Sequence, residues 1–150
     1  MPFISRLICS VLFVGYIPLV PGTWGSAAGL AVWYCIRQDL RLVLLALAVS
    51  LALGFALGTA AEKAMGKKDP GPVVIDEFAG MFISLLFVPH INSDLKLILI
   101  GFLMFRIFDT FKPFPAQRLQ SIHGGAGIML DDVFAGLYTN LVLQILARFI

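Results

Sequence analysis

Residues 73–87 read VVIDEFAGMFISLLF, and two adjacent carboxylates, Asp76 and Glu77, stand in this otherwise apolar run. An unpaired carboxylate is costly to bury, and more so in lipid. The rest of the chain therefore has to supply what compensates them.

The surroundings of that stretch are those of a membrane protein. The chain has 150 residues, of which 59% are hydrophobic and 13% charged. A soluble domain carries roughly 25% charged residues, so this chain lacks the polar surface that water requires. Its length suits one domain, residues 1–150. A net charge of +2 with no basic tract gives no sign of a nucleic-acid partner. Cys9 and Cys35 lie in apolar runs, form no CxxC pair, and read as buried thiols with no metal or redox role. The N-terminus has an Arg before an apolar core, as a signal peptide does. It has no convincing cleavage site, and an uncleaved start is expected.

Leu42–Ala61 is free of charge for 20 residues, enough to cross a bilayer core of ~30 Å as a helix. The other apolar runs are shorter: Phe3–Val20, Ala27–Ile36, Phe78–Ile91, Leu97–Phe105 and Val133–Ala147. Strand alternation and hairpin turn pairs are missing. The expected fold is all-α: a compact membrane bundle of about five to six helices, some partial, with polar motif loops on one face. Small residues, as in GFALGTAA, permit close helix contacts.

Threading these runs back and forth gathers PGTWGS, residues 62–77 and residues 106–132 on that face. Seven of the nine acidic residues fall there. So do Lys63, Lys67, Lys68, Arg106, Lys112 and Arg118, against Arg37, Arg41, Lys96 and Arg148 opposite. The positive-inside rule places the richer face in the cytoplasm, by six cations to four.

LDDVFAGLY repeats the setting of Asp76. Asp76 lies four residues before Gly80, and Asp132 lies four before Gly136, so each carboxylate shares a helical face with a glycine. With Asp131 beside Asp132, two acidic pairs abut apolar helices on one face. Carboxylates near helix N-termini are held ionised by the dipole; the plainer reading of each is a helix cap. A set of hard oxygen ligands with no competing His or Cys cluster calls for Mg²⁺ rather than zinc. His90 lies on the poor face, and His123 stands alone. FRIFDTFKPFP sets Arg106, Asp109 and Lys112 at three-residue spacing before Pro113 ends the turn. Arg106 can fork two bonds onto a phosphate and Lys112 can act as a point charge. The plainer reading is an Arg106–Asp109 salt bridge, with Lys112 reaching lipid phosphates. In PGTWGS, Thr23 and Ser26 are candidate phosphate donors, or Ser26 caps the next helix. Lys68 in KKDPGP is a further phosphate candidate.

PGTWGS, KKDPGPVVIDEFAGM, FRIFDTFKPFPAQRL and GGAGIMLDDVFAG resemble, in order, the successive motifs of the phosphatidylglycerophosphatase A family. The likeness runs from about Gly15 to the C-terminus. Phe78, Phe82 and Thr110 stand where other apolar residues are expected. The resemblance implies a Mg²⁺-dependent enzyme of the bacterial inner membrane, its active site facing the cytoplasm. It would remove the terminal phosphate of phosphatidylglycerophosphate to give phosphatidylglycerol. It also implies site roles for Asp69, Asp76, Glu77, Arg106, Asp109, Lys112, Asp131 and Asp132. Of these, Asp69, Asp76, Glu77, Asp131 and Asp132 are metal candidates, and Asp109 joins all but Asp69 among the catalytic candidates. Either activated water or an aspartate, Asp76 or Asp131, is the nucleophile. A small cation transporter and a non-catalytic membrane partner are the alternatives from other classes.

Overall fold

The longest apolar run forms the longest helix, because nothing within it interrupts the i to i+4 ladder. In the computed structural model, which describes residues 3–150, this is α3, Leu40–Met65. Asp39 opens it by accepting the N–H groups of Arg41 and Leu42 at 2.9 and 3.4 Å. Gly66 closes it in the left-handed conformation at φ 60°. The other helices are α1 (Phe3–Cys9), α2 (Pro21–Ile36), α4 (Ile75–Leu85), α5 (Leu95–Phe111), α6 (Ala116–Leu119) and α7 (Gly125–Leu146), with a 3₁₀ turn at Val14–Tyr16. The described residues contain no strand, as expected. Among the described residues there are seven α-helices rather than five or six, and α1 and α6 are the short additions.

Several boundaries differ from the sequence expectation for physical reasons. The run Phe3–Val20 is not one helix: Val11, Leu12 and Phe13 take positive φ and turn the chain. The Cys9 carbonyl then accepts the Val74 N–H at 2.9 Å, fixing this segment beside the start of α4. PGTWGS is not a loop but the first turns of α2, with Pro21 at the first position. The glycine-rich GGAG stretch likewise starts α7 at Gly125 rather than at Val133. Close packing overrides the poor helix propensity of glycine there. A Cβ on Gly58 of α3 would stand 2.7 Å from the Gly125 Cα, so two backbones touch where α3 crosses α7.

Helix directions follow from such contacts. Gly25 and Gly29 of α2 face Val74 and Phe78, so α2 and α4 run parallel. Gly80 of α4 meets the Asp132 carbonyl, and Ile83 packs on Gly136, so α4 and α7 also run parallel. Gly54 meets Met129 and Gly58 meets Gly125, so α3 opposes α7. Gly101 meets Leu143 while Lys112 meets Asp131, so α5 opposes it as well. The starts of α2, α4 and α7 and the ends of α3 and α5 consequently share one end of the bundle. This is the gathering that the threading of apolar runs anticipated.

α4 stops after 11 residues, too few to cross a bilayer. A helix end leaves carbonyls without partners. Here the Asn140 side-chain amide of α7 donates to the carbonyls of Ile83, Ser84 and Leu86 at 3.0, 3.2 and 2.7 Å. Gln144 serves Phe87 in the same way at 2.9 Å. α3 and α7 are long and apolar enough to cross a membrane. Only 22% of the apolar stretch of α3 is buried inside the protein, which leaves the rest of it to an apolar surrounding. Leu99 and Leu103 on α5 and Leu141 and Ile145 on α7 are exposed in the same manner.

Candidate metal and phosphate site

Two glycines decide how near the acidic pairs come. A Cβ on Gly80 would lie 3.0 Å from the Asp132 carbonyl oxygen, and one on Gly136 would lie 2.7 Å from the Gly80 carbonyl oxygen. α4 and α7 therefore cross in backbone contact, and the carboxylates one turn before each glycine are drawn together. Asp76, Asp131 and Asp132 are buried, with 5%, 3% and 2% of their surface exposed. Each of the three offers an oxygen within 4.8 Å of the others, and the same holds for Glu77, Asp109 and Asp132. Three helices, α4, α5 and α7, thus supply five carboxylates to one cluster.

The cap reading of these residues fails. Val74, not Asp76, is the N-cap of α4, and no side chain caps that helix. Asp131 and Asp132 stand two turns inside α7, away from the dipole of its N-terminus. Only Asp76 and Glu77 lie in a first turn. The Asp132 N–H donates to Asp131 Oδ1 at 3.0 Å. Asp76 Oδ1, Glu77 Oε2 and Asp132 Oδ2 are enclosed without a hydrogen-bond partner. Such atoms call for a counter-charge. The all-oxygen donor set fits a hard divalent cation such as Mg²⁺.

Two cations border the cluster. Arg106 pairs with Asp109 on α5 and approaches Ser26 Oγ at 3.4 Å. Lys112, the residue at which α5 ends in the left-handed conformation, pairs with Asp131 rather than reaching outward to lipid phosphates. Burial alone works against the Lys112 ammonium, but the Asp131 pair outweighs it and pushes its pKa up. The side chains of Arg106 and Lys112 remain 20% and 18% exposed, so an incoming anion can reach them. Gly22, at the start of α2, lies against this pairing: a Cβ there would come within 3.2 Å of the Arg106 guanidinium nitrogens.

The remaining candidates are placed as follows. Ser26 is buried and donates to the Gly22 carbonyl at 2.9 Å, so it is not a cap; its hydroxyl oxygen still faces Arg106. Thr23 shares the first turns of α2 but makes no side-chain hydrogen bond among the described residues. Asp69 stands outside both carboxylate sets, in the loop before α4. Burial pushes its carboxyl up; Lys112 draws it back, and Asp109 and Glu62 add to the rise. Lys68 is exposed, and with Asp69, Gln117, Gln120 and Ser121 it lines a polar pocket of about 450 Å³. His123 is an exposed loop residue.

Glu62, in the last turn of α3, has a part that the sequence does not announce. One oxygen accepts the Gly124 N–H at 2.6 Å and the other the Asp69 N–H at 3.3 Å. It ties together the loops that precede α4 and α7. No local signal marks this, because one of its partners is 62 residues away.

The family model for phosphatidylglycerophosphatase A matches residues 7–147. A protein of that name from Escherichia coli is 37% identical over 136 residues, covering 89% of this chain and 78% of that protein. One from Haemophilus influenzae is 39% identical over 132 residues, covering 86% and 80%. A Bacteroides thetaiotaomicron protein named "Putative phosphatidylinositol-3-phosphatase" is 33% identical over 148 residues, covering 95% and 93%. No solved structure matches.

Proposed function

The chain belongs to the phosphatidylglycerophosphatase A family, and from that premise we propose that it hydrolyses the terminal phosphate of phosphatidylglycerophosphate, giving phosphatidylglycerol and inorganic phosphate. One observation carries the reading: buried carboxylates with unpartnered oxygens lie beside two solvent-reachable cations at one end of an apolar helical bundle.

In this reading Asp76, Glu77, Asp109, Asp131 and Asp132 hold Mg²⁺. When bound, it supplies a hard counter-charge to the carboxylates and a Lewis acid for a phosphoryl oxygen. Arg106 presents its planar fork to the phosphate, and Lys112 adds a point charge. Both stabilise the charge that spreads over the phosphoryl oxygens as water attacks phosphorus and the ester P–O bond breaks. A carboxylate of the cluster takes the proton from the attacking water, and the departing lipid oxygen takes a proton from solvent at this solvent-reachable end to become the hydroxyl of phosphatidylglycerol. Ser26, behind Arg106, orients the guanidinium.

The acyl chains remain in the bilayer that surrounds α3, α5 and α7, and the head group enters at the charged end. That end faces the cytoplasm in this reading, in keeping with the six-to-four excess of cations. A cysteine placed at Lys67 or Gln117 should then label with an impermeant thiol reagent only from the cytoplasmic side, and one at Asn92 only from the other. A cation transporter would carry charges along its length, whereas α7 has no charged side chain between Asp132 and Leu146.

Phosphate release by the purified protein in detergent tests the activity. Phosphatidylglycerophosphate with Mg²⁺ should turn over, and phosphatidylinositol 3-phosphate should turn over less. The opposite preference would reassign the substrate, and no release from either lipid would refute the reading.

A further inference from the structure

The five carboxylates are not one undivided group. Asp76, Asp131 and Asp132 form one set, and Glu77, Asp109 and Asp132 form another, with Asp132 common to both. We propose that the site is built for two divalent cations that share Asp132. The inference rests on reading the cluster as a metal centre and extends it from one ion to two.

Ligand number is the first argument. Mg²⁺ keeps several waters and is usually held by one or two carboxylates. Five are more than a single ion of that kind takes, whereas two sets of three joined at one residue divide them evenly.

The unpartnered atoms give the second. They fall in both sets: Asp76 Oδ1 in the first, Glu77 Oε2 in the second, and Asp132 Oδ2 at the junction. One ion in either set would leave an enclosed, unpaired oxygen in the other.

Charge is the third. Five carboxylates against Arg106 and Lys112 leave the cluster with a charge of −3. One divalent ion leaves it negative, and so repulsive to a phosphate monoester dianion. A second turns it positive. Each set also has its own bordering cation, Lys112 on Asp131 and Arg106 on Asp109. Paired-ion centres suit phosphate ester cleavage because they can serve the attacking and the leaving oxygen together.

Mn²⁺ is the probe for the test. The purified full-length protein in detergent is equilibrated with Mn²⁺, bound metal per chain is counted, and the bound fraction is examined by electron paramagnetic resonance. Two ions per chain with an exchange-coupled spectrum are expected. Asp131→Asn and Asp109→Asn should each bring the count to one and give the spectrum of isolated Mn²⁺. Glu77→Gln probes the second set without altering the Arg106–Asp109 pair, should that substitution disturb folding. One uncoupled ion per chain in the unaltered protein would overturn the two-ion centre and leave the metal reading standing. No bound ion would overturn both.

Discussion

Aspartate is used in opposite ways at the two ends of the bundle. At the end remote from the site, Asp39 and Asp94 precede α3 and α5 and accept backbone N–H groups, Asp39 from Arg41 and Leu42, Asp94 from Lys96. They are exposed or half-exposed and locally satisfied. At the other end Asp76 and Asp132 are buried, cap nothing, and each keeps an oxygen without a partner. A cap needs only an oxygen acceptor, which Asn supplies as well as Asp. A buried, unpaired carboxylate needs a positive charge, which Asn cannot attract. Position along the helix, rather than residue type, separates structural from chemical aspartates here.

The largest expected effect comes from removing what the buried set awaits. Excess EDTA should abolish phosphate release and Mg²⁺ should restore it; undiminished turnover after thorough metal removal would erase the distinction between the two ends. Next come Asp76→Asn and Asp132→Asn. Each should lower kcat by at least about 10²-fold, the scale on which loss of one electrostatic contact to the transition state is felt. Without metal these variants should melt no lower than the parent, since an uncompensated buried charge has been deleted. Near-normal turnover in both would make them equivalent to Asp39.

A smaller effect is expected of Arg106→Lys, which keeps the charge but loses the fork. Loss of one charge-assisted hydrogen bond, about 1.5 kcal/mol, predicts a decrease in kcat/KM of about tenfold, with Mn²⁺ affinity little changed. An equal loss of metal binding would show that Arg106 acts mainly by holding Asp109. The smallest effect belongs to the far end. Asp39→Asn should leave activity unaltered and shift stability by less than about 0.5 kcal/mol, whereas Asp39→Ala should cost about 1 kcal/mol. A loss of turnover in Asp39→Asn would show that the two ends are coupled after all.

Much of this contrast is legible in the sequence alone. The paired carboxylates at 76–77 and 131–132, each on one helical face with a glycine, marked the acidic cluster, and three-residue spacing marked the Arg106–Asp109 pair. The order of the apolar runs anticipated which helix ends meet, because consecutive long helices joined by short connections reverse direction. What stayed hidden depended on partners far along the chain. Gly125 reads as a loop residue, since its helical state comes from packing against α3 and not from its own propensity. Lys112 looked free to meet lipid because Asp131 is 19 residues away. Asn140 carried no signal at all, as its acceptors lie 54–57 residues upstream.

Asn140 also acts on the distant acidic pairs. Its three hydrogen bonds do more than close the short α4; they index α7 against α4, as a notch fixes a sliding rule. Were α7 to slip by a single turn, about 5.4 Å, Asp131 and Asp132 would no longer stand level with Asp76. The alignment of the acidic residues at the charged end thus depends on an amide at the apolar end of the same two helices as well as on the Gly80–Gly136 crossing between them.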